Sequence, residues 1–481
     1  MGKYSVPEEI RKLKPKGTMV KNISGYFYVY EFSNYTDENG KRHTKMGKII
    51  GSIKKGIGFV PNNNFNRKEE ITSLDFGEYA ITLANSSKTL GWLNDCFNPQ
   101  DAATIYVMAL LHFVNGFTYL KDIKSYFEMS ALSLRFPTLK LGYESLGKLL
   151  DSLGRRQNNV LKFEQMLLSE CSREIAIDGH VIGCKSTEND LAEKGYKFSK
   201  LGEEQINLLM AYDVNTYMPL ISRIYEGASP DSFSVKDLMK QVELKDMLFI
   251  VDRGFYCAEN LKLFSTNGNN YIIPLGKCLR TCKKAVSNLE LKEGFMYQSG
   301  TKASVVNYKD EVIDGVRVIT YRDMNQFIAE QKNYLRHMSL GGKSFTKESF
   351  EENVRYMGVT VLQTSLGEGR SAEEVYDLYK KRWAIETFYN YFKNKAGYVS
   401  LYQEDYYKTQ GLSFVMLVSA LIRYEMTLAA KNVEGMSVQD CLLTAKMVKI
   451  HKRNSVWYIC NMLKKQRDLF SELNTPALVE F

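Results

Sequence analysis

The stretch MLFIVDRGFYCAENLKLFSTNGNNYIIPLG, residues 247–276, decides the fold class of this 481-residue chain. It opens with the apolar run LFIV, which is typical of a strand buried on both faces of a sheet. AENLKLF (258–264) has the spacing of a short helix, and NYIIPLG (270–276) has the pattern of a second buried strand. A strand, a helix and another strand in close succession predict an α/β fold.

The residues before this stretch extend the same pattern. REIAID (173–178) has the composition of a further buried strand. INLLMAYD (206–213) and YMPLISRIYE (217–226) flank a short turn, which predicts an antiparallel pair, and VKDLMKQV (235–242) predicts a helix. We therefore predict a mixed sheet covered by helices.

A charged segment interrupts this predicted core. Residues 171–276 form its first part, and GVTVLQTS (358–365) resumes it within a second part, residues 358–400. Residues 277–357 combine short β-like pieces with a polar helical stretch. We predict a β-rich insertion domain there.

Two further regions flank the core. GYFYVYEFS (25–33) and KRHTKMGKIIGSI (41–53) surround an Asn39-Gly40 pair, so residues 1–60 predict an N-terminal β-hairpin module. Residues 401–481 predict a C-terminal helical region with basic patches.

Residues 77–170 predict a helical domain. Its segments are DAATIYVMALLHFV (101–114), TYLKDIKSYFE (118–128) and GYESLGKLLDSLG (142–154). A short helix, a turn and a later helix would suit DNA binding of the helix-turn-helix type. A plain helical bundle explains the same pattern, and both interpretations stay open.

Composition indicates a soluble intracellular protein. The chain has 64 basic and 55 acidic residues, a net charge of +9, which suits a polyanionic partner without requiring one. The eight scattered cysteines form no zinc-binding set and predict free thiols in the cytoplasm. The apolar run LSFVMLVSALI (412–422) is too short to span a membrane.

Two aspartates follow apolar runs of the predicted sheet. Asp178 ends REIAID, and Asp252 follows LFIV. Either one alone would suit a strand-end turn or a helix cap. On neighbouring strands, however, two carboxylates would repel each other unless a cation lies between them. Oxygen ligands with open positions suit Mg²⁺ or Mn²⁺, and two ions are expected.

A third carboxylate lies in the predicted helix DLYKKRWAIETFYNYFKNK (377–395). Tyr379, Arg382, Glu386 and Lys393 fall within about 60° of one another on a helix, so they share one stripe. An acid flanked by cations suits a metal-bound phosphodiester. The stripe borders the apolar face formed by Leu378, Ile385, Tyr389 and Phe392, and Trp383 is expected in the core.

The motifs IAIDGH, IVDRGF and YKKRWAIETFYNYFK together resemble the DDE transposases of bacterial insertion sequences. The match is to the group with a Y-R-E-K signature, in the branch with an extended N-terminal region. This resemblance implies a ribonuclease-H-like core with a β-rich insertion. It also implies cut-and-paste transposition, in which the enzyme cleaves transposon ends and joins them to target DNA. A homodimer bound to double-stranded DNA is expected, in the bacterial cytoplasm at the nucleoid.

The resemblance also implies the roles of single residues. Asp178, Asp252 and Glu386 would be the catalytic, metal-binding triad. Tyr379, Arg382 and Lys393 would contact DNA phosphates, and Arg253 is a further candidate for DNA contact.

Two other functions remain open from the sequence. A stand-alone metal-dependent nuclease could use the same core. A DNA-binding protein derived from a transposase could have lost activity, although all three acids are present.

Overall fold

A computed structural model describes most of the chain, namely residues 5–62, 73–184, 186, 189–194, 204–287, 289–342, 344–383, 385, 400–401, 405–453 and 456–476. Its contacts divide the chain into two compact units. One unit comprises Met1–Leu74 with Lys449–Asn461, and the other comprises Asp75–Val448 with Met462–Phe481.

The first unit is built on an antiparallel sheet. After helix α1 (Glu8–Lys12), the strands follow one another in the sheet in chain order: β1 (Thr18–Ile23), β2 (Tyr26–Thr36), β3 (Arg42–Lys54) and β4 (Gly58–Pro61). Ile10, Val29, Ile50 and Ile53 form its buried core. The predicted hairpin around Asn39-Gly40 is thus present, as β2 and β3.

The second unit begins, after the short strand β5 (Ser73–Asp75), with a layer of helices. These helices are α2 (Gly77–Asn85), α3 (Ser87–Cys96), α4 (Pro99–Asn115), α5 (Ile123–Glu128), α6 (Leu132–Arg135), α7 (Tyr143–Arg155) and α8 (Gln157–Glu170). Their positions agree with the predicted helical segments. Whether this layer is a separate DNA-binding domain stays a prediction.

A mixed sheet forms the centre of the second unit. Its described strands are β6 (Glu174–Cys184), β7 (Glu193–Lys194), β8 (Glu204–Asp213), β9 (Pro219–Glu226), β10 (Leu248–Val251), β11 (Asn270–Pro274), β12 (Glu293–Ser299), β13 (Lys302–Ile313), β14 (Val316–Asp323), β15 (Val359–Thr364) and β16 (Ser400–Leu401). Their order is β12-β13-β14-β15-β11-β10-β6-β8-β7, with β9 on β8 and β16 on β6. β6, β10 and β11 are parallel to one another, whereas β8 and β9 are antiparallel. The predicted mixed α/β fold is therefore confirmed, and it is consistent with a ribonuclease-H-like core.

The residues predicted as an insertion extend this sheet. β14 pairs antiparallel with β15 along six residues, and β15 pairs with β11 of the core. β12–β14 therefore share one hydrogen-bonded sheet with the core strands.

The remaining described helices of the second unit are α9 (Asp231–Gln241), α10 (Ala258–Leu263), α11 (Arg280–Ser287), α12 (Met324–Ser339), α13 (Lys347–Asn353), α14 (Ala372–Lys381), α15 (Tyr406–Ala430), α16 (Val438–Lys446) and α17 (Lys464–Glu472). By length and composition alone, α15 could cross a membrane. However, 67% of its most apolar window is buried, because the helix packs against α4, α7 and β9. The predicted apolar run 412–422 is thus the middle of a 25-residue core helix.

Two glycines allow α7 and α15 to touch. A Cβ atom at Gly154 would lie 2.0 Å from the Tyr407 carbonyl oxygen, and one at Gly411 would lie 2.1 Å from the Leu150 carbonyl oxygen. The two helix backbones therefore approach each other at positions where no side chain fits.

A buried ion pair ties the helical layer to the sheet. Arg223 on β9 donates two hydrogen bonds of 2.5 Å to the Glu164 carboxylate on α8. Both side chains are almost fully buried. If one partner were removed, bulk water could therefore not take its place beside the remaining charge.

The first unit is completed by a hairpin from the end of the chain, β17 (Lys449–Arg453) with β18 (Val456–Ile459). The prediction that residues 401–481 are helical is wrong here. The run VWYI is rich in β-branched and aromatic side chains, which favour a strand over a helix.

Candidate active site

The two predicted aspartates lie side by side on the sheet. β6 and β10 are parallel, and Ile177 is the register partner of Val251. The next residues along these strands are Asp178 and Asp252, and both are partly exposed. The structure therefore brings these two carboxyl-bearing positions together, as the sequence predicts.

The prediction that a strand ends at Asp178 is wrong. β6 continues to Cys184, because Gly179 and His180 still pair with β8. The neighbouring strand β10 stops at Val251, and β16 takes the same side of β6 only at Gly183 and Cys184, so no described strand pairs with residues 178–182 on that side. This accounts for the partial exposure of residues 178–180 within an otherwise buried strand.

A buried asparagine fixes the turn that follows Asp252. Asp252 stands at the N-cap position of a short 3₁₀ turn, Arg253–Phe255, without a capping hydrogen bond from its side chain. The Asn260 side-chain amide donates to the carbonyl oxygens of Phe255 at 3.1 Å and Ser232 at 3.2 Å. Asn260 thus holds the turn against the start of α9, while Arg253 is exposed on it. Asn260 was not predictable from the sequence, since an asparagine inside a short helix has no distinguishing pattern.

Helix α14, which carries the first signature residues, is capped at its start. The Ser371 hydroxyl accepts the Glu374 backbone N–H at 3.2 Å, and the Glu374 carboxylate accepts the Ser371 backbone N–H at 2.8 Å. This reciprocal capping box satisfies two backbone donors that the first helical turn cannot pair.

Aromatic residues of the inserted strands pack against α14. We call Phe295, Tyr297 and Tyr321 the aromatic bed. Tyr376 contacts the rings of Phe295, Tyr297 and Tyr321, at centroid distances of 5.7, 5.1 and 4.9 Å. Its hydroxyl donates to Asp323 at 3.2 Å, and the Tyr321 hydroxyl donates to the Ala372 carbonyl at 2.7 Å. The insertion therefore positions the signature helix.

Arg382 and Trp383 exchange their predicted environments. Arg382 is only 6% exposed, and its guanidinium carbon lies 5.7 Å from the centroid of the Tyr379 ring. Trp383, which was expected in the core, is 58% exposed. Adjacent helix positions point about 100° apart, so a small rotation of the predicted face decides which of the two is buried. Leu378 and Ile385 are buried, as predicted.

The rest of the signature lies outside the described residues. This applies to Glu386 and Lys393, and also to Tyr389 and Phe392 of the predicted apolar face. α14 itself begins at Ala372, not Asp377, and ends at Lys381, with Arg382 as its C-cap in a helical conformation. Of the four residues of the predicted stripe, the structure therefore describes only Tyr379 and Arg382.

The described donors fit a divalent cation in part. Two carboxylates at neighbouring strand positions supply hard oxygen ligands, which Mg²⁺ and Mn²⁺ prefer. Within the described ranges, no group of three or more His, Cys, Asp or Glu residues could hold a metal. The third carboxylate predicted from the sequence, Glu386, lies outside the described residues.

A large cationic cavity opens beside α14. Its volume is about 560 Å³, within the usual range of ligand sites. Four of its lining residues are basic: Lys380, Lys381, Arg423 and Lys431. Five others are aromatic: Tyr212, Tyr217, Tyr297, Trp383 and Tyr424. We call this the cationic cavity.

The basic residues Lys380, Lys381, Arg423 and Lys431 of this cavity were not predicted from the sequence. Lys380 and Lys381 adjoin the signature tyrosine, so the run KKR could have indicated them. Arg423 and Lys431 lie at the end of the apolar helix α15, where no pattern relates them to the signature.

Comparison with known proteins identifies one matching family. The model described as "Transposase DDE domain" matches residues 169–417, which is just over half of the chain. Among solved structures, the chain is similar to a cryo-EM structure of the piggyBac transposase synaptic complex with hairpin DNA. The TM-score is 0.38 at 12% identity, covering 80% of this chain and 78% of that one. No curated protein matches the sequence.

Proposed function

Because the chain belongs to the transposase DDE domain family, we propose that it is the cut-and-paste transposase of a bacterial insertion sequence of the Y-R-E-K group. In this proposal it acts in the cytoplasm, as a homodimer on double-stranded DNA. It binds the inverted-repeat ends of its element, cleaves them and joins them to target DNA. The observation that carries the proposal is the parallel register that puts Asp178 beside Asp252.

The proposed catalytic residues are Asp178, Asp252 and Glu386. The two aspartates lie where β10 ends, and both are partly exposed, which supports a role in contacting DNA. The three carboxylates would hold Mg²⁺ or Mn²⁺, with two ions expected. Bound there, the ions would activate the attacking hydroxyl group and stabilise the leaving oxygen.

The proposed DNA-contacting residues include Tyr379 at the end of α14 and Arg253, which follows Asp252. Lys393, outside the described residues, takes the phosphate-binding role that the resemblance implies. The cationic cavity adds Lys380, and also Lys381, which is paired with Asp377 at 2.9 Å. Arg382, to which the resemblance gives the same role, would act instead from its buried position, by orienting Tyr379.

The test is a cleavage assay with the full-length chain and Mg²⁺. The substrate is a duplex that ends in the inverted repeats found beside the gene. We expect Asp178→Asn, Asp252→Asn and Glu386→Gln each to slow strand cleavage at least about a thousand-fold, a loss of about 4 kcal/mol, because each removes a metal ligand. Binding of the same duplex should change only a few-fold.

The matched control is Asp468→Asn, which removes an exposed carboxylate from α17. This variant should cleave like the wild type. Normal cleavage by Glu386→Gln would refute the mechanism. Cleavage without joining to target DNA would favour a stand-alone nuclease, and binding without cleavage by the wild type would favour an inactive DNA-binding derivative.

A further inference from the structure

A two-stranded arm extends from the sheet of the first unit. β1 pairs with residues 26–31 of β2, and β4 pairs with residues 51–54 of β3. Residues 32–36 pair with residues 42–46, and no other described strand pairs with either segment. We call residues 32–46 the β-arm. Its five residue pairs give a ribbon about 17 Å long.

One face of the β-arm is occupied by its own contacts. Tyr35 stacks on the His43 ring at 5.5 Å, and a His43 nitrogen lies 2.6 Å from the Asp37 carboxylate. The Asp37 carboxylate also accepts the backbone N–H groups of Lys41 and Asn39, at 2.9 and 3.0 Å. These hydrogen bonds, the Lys41 one first, lower the pKa of Asp37, so its charge is held inside the turn.

The opposite face is polar toward the tip of the arm. Side chains alternate along a strand, so Asn34, Thr36, Arg42 and Thr44 share this face with Phe32 and Met46 at the base of the arm, and the four polar residues are exposed. The Thr44 hydroxyl donates to the Asn34 side-chain oxygen at 2.9 Å, so this bond uses the oxygen of the Asn34 amide and not its N–H groups. We call this the Arg42 face.

The β-arm carries a small net positive charge, because Lys41, Arg42 and Lys45 outnumber Asp37 and Glu38. Lys41, Arg42 and Lys45 are exposed, and none of their side chains forms an ion pair with a described residue. Of the two acids in the arm, Asp37 is held by the turn and only Glu38, at the tip, remains exposed. The surface therefore complements a polyanion better than a protein strand.

We propose that the β-arm lies in the major groove of DNA, with the Arg42 face toward the base edges. The groove is about 12 Å wide and accommodates a two-stranded ribbon. Arginine and asparagine are the side chains that bond guanine and adenine edges there in bidentate fashion. Lys41 and Lys45 would contact phosphates along the rim. The inference rests on the proposed function only in taking DNA as the partner.

The first test measures binding alone, without metal. The full-length chain is titrated against a labelled mixed-sequence duplex of about three helical turns, by fluorescence anisotropy. The double variant Asn34→Ala/Arg42→Ala should bind about 10- to 100-fold more weakly, because it loses both edge contacts. Its melting temperature should equal that of the wild type, since both side chains are exposed.

The matched control is Lys12→Ala, which removes one exposed cation from α1 in the same unit. It should bind within about two-fold of the wild type. Arg42→Lys keeps the charge without the planar fork and should recover only part of the affinity. Equal affinity of the double variant and the wild type would overturn the proposal.

The second test identifies the groove. In the same duplex, glucosylated 5-hydroxymethylcytosine replaces cytosine, so that sugar fills the major groove. The wild type should lose more affinity than the double variant. The sugar would block the base-edge contacts of Asn34 and Arg42, which the double variant already lacks. An equal loss for both proteins would refute the major-groove placement.

Other outcomes separate this inference from the proposed function. If the double variant binds DNA normally but changes the oligomer mass in light scattering, the arm contacts protein and the inference is wrong. If binding depends on the arm but the wild type never cleaves, the proposed function fails and the arm assignment stands. If the wild type cleaves and the double variant binds like it, only the arm assignment fails.

Discussion

Lys380 packs against an aromatic ring and also lines the cavity that we propose for DNA contact. Its ammonium lies 5.0 Å from the centroid of the Tyr376 ring, and it lines the cationic cavity. Burial lowers the pKa of this lysine, and Asp323 offsets the effect only in part. The positive charge is therefore complete at low pH and is lost as the pH rises through the lowered pKa.

We predict that DNA affinity falls as the pH is raised from about 7 to about 9.5, and falls less in Lys380→Arg. Arginine keeps its charge over this range, whereas Lys380 loses its proton earlier than an ordinary lysine. Anisotropy titrations of both proteins would measure the difference. Lys12→Arg, at an exposed site, serves as the control and should follow the wild type. Identical pH profiles for Lys380→Arg and wild type would contradict this role.

At the scale of elements, the start of α14 links local structure to the candidate active site. The capping box of Ser371 with Glu374 sets where the helix begins, and the aromatic bed under Tyr376 sets its position. Tyr379 and Arg382 follow at the other end of the same helix. If the first turn of α14 loosened, the positions of Tyr379 and Arg382 would therefore become less fixed.

We predict that Ser371→Ala costs about 1 kcal/mol of helix stability, because one backbone N–H loses its acceptor. Hydrogen exchange should become faster in residues 372–381, and cleavage should slow by several-fold. Ser371→Thr keeps the hydroxyl and should restore most of the protection. Unchanged exchange in Ser371→Ala would show that the aromatic bed alone holds the helix.

The strands of the sheet were predictable because their amino-acid composition reflects how deeply they are buried. Unbroken apolar runs such as LFIV identify strands buried on both faces, and their order gives the mixed sheet. The end of β6 was not predictable in this way. Gly179 and His180 weaken the apolar pattern, yet pairing with β8 carries the strand onward.

The candidate site was predictable only where strand register alone decides it. Asp178 and Asp252 meet because they follow consecutive register partners. The reversal of Arg382 and Trp383 depends on the rotation of a helix against a cavity, which the spacing of residues does not specify. The cavity residues Arg423 and Lys431 come from a distant helix and required the tertiary structure.

At the scale of the whole molecule, positive charge is concentrated on separate surfaces. The net charge of +9 is modest for 481 residues. Yet Lys41, Arg42 and Lys45 are exposed on the β-arm without an ion pair to a described residue, and four cations line the cavity of the second unit. Each unit thus offers its own surface for a polyanion.

We predict a steep salt dependence of DNA binding. If these cations contact phosphates, raising the salt from about 50 to about 200 mM should weaken binding roughly 10³-fold, because counterions are released from the DNA. The slope of log affinity against log salt, measured without metal, gives the number of contacts. Lys41→Ala/Lys45→Ala should have a shallower slope, because it loses two of the proposed phosphate contacts, and Asp468→Asn an unchanged one. A flat dependence would exclude both surfaces as phosphate contacts.

The shared sheet of β11, β15 and β14 has a consequence for how this chain could be shortened or could have evolved. Cutting out residues 277–357 would leave β15 as a bare edge, with a row of unpaired backbone groups that invites aggregation. It would also remove Phe295, Tyr297 and Tyr321 from beneath α14. The inserted strands therefore cannot be removed without disturbing the core. A substitution in them that alters the contact with α14 would require a compensating substitution in that helix.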